Sequence, residues 1–258
     1  MRTALIGYTG FVGGTLLRQR PFDEKYNSSN IKAIEGQEFD LLVCAGAPAA
    51  KWIANQHPEE DLRNIEGLMG HLKSVSALRI VLISTVDVYR RPIDVDESTP
   101  IDPEQTDPYG RHRFYLEQFV EATFREHHIL RLPGLFGEGL KKNFIYDLLN
   151  DNALGWTHRD SMFQWYDMST LWRDIQVVCS AGLTLVNFAT EPVRCEEVAE
   201  KCFQMKFDNI TEKPAVSYDM HTSYSSAFGG QGDYIMSSGQ VLNRISSFVQ
   251  QERNKKLV

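Results

Sequence analysis

The sequence is poor in the features that mark disulfide-rich, zinc-binding and nucleic-acid-binding proteins. Its four cysteines are scattered, with no CxxC pair and no histidine at zinc-ligand spacing. We therefore expect no metal site and four reduced, mostly buried thiols, as in a cytoplasmic protein. Acidic residues outnumber basic ones by 34 to 27, so no basic surface is predicted for nucleic acid or an anionic membrane.

Long apolar runs are also missing. No stretch reaches the roughly 18 uninterrupted apolar residues that a membrane-spanning helix needs. The apolar run at residues 1–6 is too short for a signal peptide, so no membrane association is expected. Of the 258 residues, 42% are hydrophobic and 24% are charged. This composition and length suit one α/β domain, with or without a modest appended lobe.

Short apolar runs alternate with amphipathic segments through the first half of the chain. The apolar runs predict strands at residues 3–6, 39–44, 79–84 and 129–132. The amphipathic segments predict helices at residues 11–18, 62–72 and 109–127. This alternation favours a Rossmann-type α/β fold, in which helices cover a doubly wound parallel sheet.

The second half of the chain has longer aromatic and polar loops. Residues 183–188 are predicted to form a strand that returns to the sheet, followed by a helix at 195–203. A final amphipathic helix covers 241–249 and precedes a charged, frayed tail at 252–256. We predict a dinucleotide-binding domain at residues 1–140. Residues 141–258 form a small C-terminal substrate lobe, interleaved with elements that return to the sheet.

Three glycines follow the first predicted strand, at the start of the first helix. Gly7 permits a tight turn, Gly10 removes a Cβ where a phosphate must come close, and Gly13 lets the helix pack on the strand. Main-chain N–H groups and the positive end of the helix would stabilise a pyrophosphate. We assign Phe11 and Val12 to the same binding segment; a purely structural glycine turn is the alternative.

Two further motifs place a hydroxyl, a phenol and a cation where hydride-transfer chemistry needs them. Ser84 and Thr85 end a strand at the edge where open α/β sheets bind ligands, although such a pair also forms turns and caps. Tyr109 and Arg113 lie four residues apart, on one face of the predicted helix. A nearby cation favours the phenolate and lowers the pKa of a tyrosine; a simple packing pair is the alternative.

Taken together, these motifs resemble the extended short-chain dehydrogenase/reductases, the NAD-dependent epimerase/dehydratase family. The compact length is similar to the dTDP-4-dehydrorhamnose reductase branch. The resemblance rests on the glycine motif, on Ser-Thr-x-x-Val-Tyr at 84–89, on Tyr-Gly-x-x-cation at 109–113 and on Arg-Leu-Pro-Gly-Leu-Phe-Gly at 131–137. It implies an NAD(P)-dependent oxidoreductase or epimerase that acts on a carbonyl or alcohol of a nucleotide-activated sugar.

The resemblance also implies roles for the residues of these motifs. Thr85 would polarise the substrate oxygen, Tyr109 would be the acid/base, and Arg113 would hold the nicotinamide ribose. Arg113 replaces the lysine of the family and keeps its charge, but an arginine is effectively never deprotonated.

Further residues are assigned to binding. The main chain at Pro133 and Leu135 would seat the nicotinamide, and the small residues that follow the second apolar run would also contact the cofactor (Ala45 and Gly46). Lys142 and Asn143 resemble the segment that such enzymes use near the phosphates of the substrate. We also assign two residues to the substrate: Ser84, and Trp165, which could stack on a base or sugar or belong to the core.

The adenosine side of the cofactor site lacks the acidic residue that binds an NAD ribose. Neutral polar residues stand there instead, including Asn27 and Ser28. They tolerate a 2′-phosphate better than a carboxylate would, so NADP is favoured over NAD. The alternative is that Ser28 or Ser29 caps the next helix.

The helix predicted at 109–127 carries more aromatic residues than one face against a sheet requires: Phe114, Tyr115, Phe119 and Phe124. The resemblance implies that the chain pairs through this helix and the one before it, so we expect a homodimer. Two other functions stay open. Because Arg113 replaces a catalytic lysine, the protein could be a non-catalytic NAD(P)-binding sensor or scaffold. It could also reduce another small carbonyl compound.

Overall fold

A computed structural model describes residues 1–256. The helices are α1 (Phe11–Gln19), α2 (Lys51–Gln56), α3 (Pro58–Leu72), α4 (Pro108–Thr123), α5 (Phe144–Asn150), α6 (Leu171–Ser180), α7 (Cys195–Phe203) and α8 (Ser238–Lys255). The strands are β1 (Thr3–Ile6), β2 (Glu24–Tyr26), β3 (Glu38–Cys44), β4 (Ser76–Thr85), β5 (Ile93–Val95), β6 (His127–Leu132), β7 (Gly134–Phe136), β8 (Met162–Phe163), β9 (Trp165–Asp167), β10 (Leu185–Asn187), β11 (Val193–Arg194) and β12 (Asp219–Met220).

The chain forms two compact units, each built from separate segments. The first unit comprises Met1–Arg90, Ser98–Leu132 and Thr170–Val186. The second comprises Arg91–Glu97, Pro133–Ser169 and the chain from residue 187 onward.

The first unit contains a six-stranded sheet with the order β10-β6-β4-β3-β1-β2, which confirms the predicted Rossmann-type fold. The pairs β1–β2, β1–β3, β3–β4 and β4–β6 are all parallel. The chain runs from β1 outward to β2 and then continues on the other side of β1 through β3. Such a reversal opens a crevice at the carboxyl ends of the strands, where ligands bind in open α/β sheets.

The core of the first unit explains why the short apolar runs become strands. β1 is buried along its whole length, and Leu41–Cys44 of β3 are buried as a continuous run. This is the pattern expected for strands covered on both faces. Helix α3 contributes Ile65, Leu68 and Leu72 to the same hydrophobic cluster, and α4 contributes Leu116 and Val120.

Several boundaries differ from the prediction, and two of the differences have a clear structural reason. The helix predicted to reach residue 127 ends at Thr123, because His127 already pairs with Ile80 of β4 as part of β6. Phe124, which extended the apolar periodicity, is buried in the core with an extended backbone. The tail predicted to be frayed is helical as far as Lys255, and this helix begins with a capping box formed by Ser237 and Gln240.

The second unit has three two-stranded sheets instead of one large sheet: β11–β8, β12–β5 and β7–β9. The carboxylate of Glu97 links its separate segments. It accepts hydrogen bonds from the main-chain N–H of Asn187 at 2.8 Å, the hydroxyl of Thr222 at 2.6 Å and the N–H of Ser223 at 3.0 Å. One acidic side chain therefore ties together residues that are far apart in sequence.

None of the helices in the described part of the chain combines the length and apolar character needed to cross a lipid bilayer. All four cysteines are free thiols. Cys44, Cys195 and Cys202 are buried, and burial raises the pKa of each of these thiols. A raised pKa keeps a thiol protonated and unreactive at neutral pH.

Candidate active site

The glycine loop after β1 (residues 7–13) is tightly packed at two of its glycines and has free space beside the third. A Cβ at Gly7, which has φ of +84°, would lie 2.2 Å from the carbonyl oxygen of Ala45. A Cβ at Gly13 would lie 2.2 Å from the carbonyl oxygen of Gly7, so both glycines are required by the fold itself. A Cβ at Gly10 would have only the Gly7 oxygen within 4 Å, at 3.3 Å. Gly10 is therefore the glycine whose missing side chain leaves space for a ligand.

The N-terminus of α1 suits an anion. Gly10 occupies the N-cap without a side-chain hydrogen bond, and the first turn has no acidic residue. The main-chain N–H groups of Phe11 and Val12 belong to this turn, where helical N–H groups have no partner within the helix. The positive end of the helix dipole lies at the same place. This cradle fits the pyrophosphate of a dinucleotide.

Two residues assigned to the cofactor lie directly against the glycine loop. Ala45 donates its N–H to the carbonyl of Ile6 at 3.0 Å. A Cβ at Gly46 would approach the Ile6 side chain to 2.7 Å, so the chain after β3 passes close beside the end of β1. A glycine at position 46 thus helps to bring the two strand ends together.

The polar segment after β2 reaches the glycine loop through Asn27. Its side-chain amide donates to the hydroxyl of Tyr8 at 3.2 Å, and its oxygen accepts the N–H of Ser29 at 3.0 Å. Ser28 is exposed. The short helical turn that follows begins after Asn30, so the alternative in which Ser28 or Ser29 caps it is wrong.

Thr85 and Tyr109 meet at the carboxyl end of β4. Tyr109 lies in the first turn of α4 and is 9% exposed. Its side chain forms a hydrogen bond with that of Thr85, and its N–H donates to the side-chain oxygen of Asn55 at 2.9 Å. A Cβ at Gly110 would lie 1.8 Å from the carbonyl oxygen of Asp87, so this glycine lets α4 start against the end of β4.

Arg113 packs on the face of the Tyr109 ring, with its guanidinium carbon 4.0 Å from the ring centroid. Both of its terminal nitrogens bind Asp61, one of them at 2.9 Å from Oδ1. They also donate to the carbonyls of Pro48 and Tyr109. Arg113 and Asp61 are both buried, which makes this a fully enclosed ion pair. The charge of Arg113 is therefore largely balanced by a carboxylate.

Burial raises the pKa of the Tyr109 phenol above its ordinary value. The field of Arg113 acts in the opposite direction, as do Lys51 and the hydrogen bond from Thr85, whereas Asp87 acts with burial. The net direction is thus opposite to the one that we predicted from Arg113 alone, because desolvation is the largest effect. A phenol with a raised pKa is protonated at neutral pH and suited to donating a proton.

Ser84, assigned to the substrate, lies inside the first unit. Its hydroxyl donates to the carboxylate of Glu117. Arg131 binds Glu117 through Nη2 at 2.6 Å and donates to the hydroxyl of Tyr89 at 2.6 Å. These residues form a buried polar network behind the carboxyl ends of β4 and β6.

Five assigned residues belong to the second unit. Pro133 directly precedes β7, and Leu135 lies within it. The side chain of Asn143 donates to the carbonyl of Leu135 at 2.8 Å and caps α5 by accepting the N–H of Tyr146 at 3.1 Å. The structure thus brings Leu135 and Asn143 together.

Lys142 and Trp165 are the other two assigned residues of this unit. Lys142 is exposed, and partial desolvation of its ammonium group lowers its pKa. Trp165 is buried beside Phe163, with ring centroids 5.6 Å apart. Among residues 1–256, the indole nitrogen of Trp165 finds no hydrogen-bond partner.

The sequence profile of the NAD-dependent epimerase/dehydratase family matches residues 22–171, more than half of the chain. The chain belongs to this family. The resemblance stated from the motifs is thereby confirmed. No curated protein matches the chain in sequence.

Solved structures of epimerase/dehydratase relatives share the fold over almost the whole chain. A dTDP-4-dehydrorhamnose reductase from Bacillus anthracis, in complex with NADP, has a TM-score of 0.75 and 16% identity, covering 97% of this chain and 98% of its own. MoeE5, in complex with UDP-glucose and NAD, has a TM-score of 0.75 and 16% identity, covering 99% of each chain. A UDP-N-acetylglucosamine 4-epimerase from Methanobrevibacter ruminantium, in complex with UDP-N-acetylmuramic acid, has a TM-score of 0.74 and 12% identity, covering 98% of each.

Several residues around Tyr109 in this candidate site were not predicted, chiefly Asp61, Asn55 and Asp87. Asp61 could have been predicted from the sequence. It precedes Ile65, Leu68 and Leu72 at helical spacing, and this places its carboxylate on the buried face of α3. A charge on such a stripe needs a partner, and Arg113 supplies it. His112 also binds Asp61, at 2.7 Å.

Proposed function

We propose that the protein is a cytoplasmic NAD(P)-dependent reductase or epimerase that acts on a carbonyl or alcohol of a nucleotide-activated sugar. The observation that carries this proposal is the hydrogen-bonded pair of Thr85 and Tyr109, which lies at the same edge of the sheet as the glycine loop. Membership of the epimerase/dehydratase family supports it. So do the fold relatives in complex with NADP, with UDP-glucose and NAD, and with UDP-N-acetylmuramic acid.

In the proposed reaction, Tyr109 transfers a proton to or from the reacting oxygen of the sugar, and Thr85 orients that oxygen. A nicotinamide nucleotide, when bound, supplies or accepts the hydride. We assign Arg113 to holding the Tyr109 ring, because its terminal nitrogens are bound to Asp61 and to main-chain carbonyls. A contact of Arg113 with the cofactor ribose stays a prediction.

The activity can be tested by incubating the protein with NADPH or NADH and a set of dTDP- and UDP-linked 4-keto sugars. Loss of nicotinamide absorbance reports reduction. Epimerisation of UDP-glucose or UDP-N-acetylglucosamine is followed by chromatography with NAD. Tight cofactor binding without turnover on any nucleotide sugar would favour the non-catalytic sensor. Turnover of simple carbonyl compounds alone would favour a different substrate class.

Gly10→Val should abolish binding of NADPH and NADH while leaving the protein folded. Gly10 has φ of −78° and ψ of 172°, which valine adopts readily, but the new side chain would fill the space beside the N-terminus of α1. Calorimetric titration of cofactor measures the effect. Gly67→Val is the matched control, since a Cβ at Gly67 on α3 meets nothing within 4 Å. Equal affinity in wild type and Gly10→Val would refute the assignment.

NADPH should bind at least as tightly as NADH. After β2 the chain continues with Asn27, Ser28 and Ser29, so a 2′-phosphate meets neutral polar groups and no carboxylate. Side-by-side fluorescence titrations with the two reduced cofactors give the ratio of dissociation constants. A tenfold preference for NADH would contradict the prediction.

We further propose a homodimer that pairs through α4. Tyr115 on this helix is 43% exposed, and Phe114 and Phe119 are only half-buried. Light scattering at micromolar concentration should give twice the mass of the chain. Tyr115→Lys should shift the equilibrium toward the monomer, because it places a charge on the apolar surface. A monomer mass for the wild-type protein would contradict the proposal.

A further inference from the structure

The carboxyl ends of β1 and β2 lie side by side, next to the glycine loop. Ile6 pairs with Tyr26 in parallel register, and the N–H of Gly7 donates to the carbonyl of Tyr26 at 2.7 Å. Just beyond this point, the side-chain amide of Asn27 donates to the hydroxyl of Tyr8 at 3.2 Å. A direct side-chain contact thus joins the loop that fits a pyrophosphate to the segment that follows β2.

The amide group of Asn27 can face Tyr8 in only one orientation. Its oxygen accepts the main-chain N–H of Ser29 at 3.0 Å and the hydroxyl of Ser29 at 2.6 Å. A main-chain N–H can only donate, so the amide oxygen must face Ser29 and the amide NH₂ group must face Tyr8. In the bond between the two side chains, the phenol oxygen of Tyr8 is therefore the acceptor.

This arrangement leaves the hydrogen of the Tyr8 hydroxyl available. A phenol can donate one hydrogen bond while it accepts another, and an amide NH₂ group cannot accept. Within residues 1–256, Asn27 is the hydrogen-bond partner of the phenol. Tyr8 is also partly exposed. The fixed phenol thus offers one O–H donor to a group that arrives from outside the chain.

Asn27 occupies the position that faces the adenosine ribose in dinucleotide-binding Rossmann folds. In those folds, an acidic side chain about 20 residues after the glycine motif accepts a hydrogen bond from the ribose 2′-hydroxyl of NAD. Asn27 does not replace that acceptor, because its oxygen is already bound twice to Ser29. The contact between Tyr8 and Asn27 therefore presents a donor where an NAD-binding chain presents an acceptor. An ionised phosphate group takes up such a donor, since its oxygens are strong acceptors.

We propose that Tyr8 determines the choice of cofactor by donating a hydrogen bond to the 2′-phosphate of NADP(H). Asn27 is the positioning residue, since its amide holds the phenol oxygen as an acceptor and directs the hydroxyl hydrogen elsewhere. This inference rests on the proposed function, because it assigns a side chain to the cofactor of that function. It goes further than the neutral segment after β2, which would tolerate a 2′-phosphate without binding it.

A purely structural role for the same contact gives a different result. If Tyr8 and Asn27 served only to hold the glycine loop against β2, losing their contact would loosen the pyrophosphate cradle. NADPH and NADH share the pyrophosphate, so the affinities for both would fall together. The ratio of the two dissociation constants therefore separates recognition of the 2′-phosphate from support of the loop.

The test titrates the full chain with NADPH and with NADH and follows the fluorescence of the nicotinamide. Tyr8→Phe should lower the affinity for NADPH relative to NADH by about tenfold, since a hydrogen bond to a charged phosphate is stronger than one to a neutral hydroxyl. Asn27→Asp should lower this ratio further, because the new carboxylate accepts the phenol hydrogen and repels the phosphate. Tyr115→Phe, which removes a phenol oxygen from the exposed side of α4, is the matched control and should leave the ratio unchanged.

A second pair of ligands isolates the 2′-phosphate from the nicotinamide. Adenosine 2′,5′-bisphosphate and AMP differ only in this phosphate, so calorimetric titration should show the same change of ratio in Tyr8→Phe. An unchanged ratio in both variants, or equal losses for the two cofactors, would overturn the inference and leave the proposed function standing. Failure of the wild-type chain to bind either cofactor would overturn both. Circular dichroism shows whether each variant is folded, and Asn27→Asp supplies the test if Tyr8→Phe does not fold.

Discussion

Tyr109→Phe should lower kcat on a nucleotide-sugar substrate by about 10² to 10⁴-fold, the range that general acid–base catalysis contributes. The substitution removes only the phenol oxygen that forms a hydrogen bond with Thr85. The ring keeps its contact with the Arg113 guanidinium, 4.0 Å away, and the main chain keeps its bond to Asn55. Folding and cofactor affinity should therefore be unchanged, so the loss appears in kcat and not in binding.

Steady-state rates of wild type and Tyr109→Phe, with calorimetric titration of NADPH into each, measure this effect. Because burial raises the pKa of Tyr109, the phenol is protonated on both sides of neutral pH, and the loss in the reduction direction should be equally large there. Tyr115→Phe is the matched control, since Tyr115 lies on the exposed side of the same helix. Activity that survives Tyr109→Phe unchanged would remove Tyr109 from the mechanism.

Local sequence pattern was sufficient to predict most of the elements that form the first unit, although not β2, α2 or α6. The apolar run in β3 is buried as a block, and the glycines at 7 and 13 are required by close main-chain approaches. Such features depend on a few neighbouring residues and on sterics, which a sequence displays directly. The predicted helix end at residue 127 was wrong, because pairing of His127 with β4 overrides the apolar periodicity that includes Phe124.

The electrostatics of the site could not be predicted in the same way. The motif shows a cation four residues after Tyr109, and its spacing does place Arg113 on the ring. It does not show that Asp61, more than fifty residues earlier, balances that cation, or that desolvation outweighs it at the phenol. Charge balance depends on contacts between distant segments, which the spacing of a short motif does not display.

Asp61→Ala should destabilise the protein by about 3–5 kcal/mol, the typical cost of removing one partner from a buried ion pair. The guanidinium of Arg113 would stay buried without its carboxylate, and Nδ1 of His112 would lose its partner at 2.7 Å. Urea unfolding, followed by circular dichroism, should show a much lower midpoint than wild type. Glu197→Gln is the control: it breaks the exposed pair with Lys201 on α7 and should leave the midpoint where it is.

A variant with both charges removed separates the penalty of an unpaired charge from the value of the pair itself. Replacing a buried pair with apolar residues of similar volume is often neutral or stabilising. Asp61→Leu combined with Arg113→Met should therefore recover most of the stability lost in Asp61→Ala. The double variant also allows the unfolding midpoint to be measured if Asp61→Ala does not fold. A midpoint for Asp61→Ala as high as that of Glu197→Gln would show that Arg113 does not depend on Asp61.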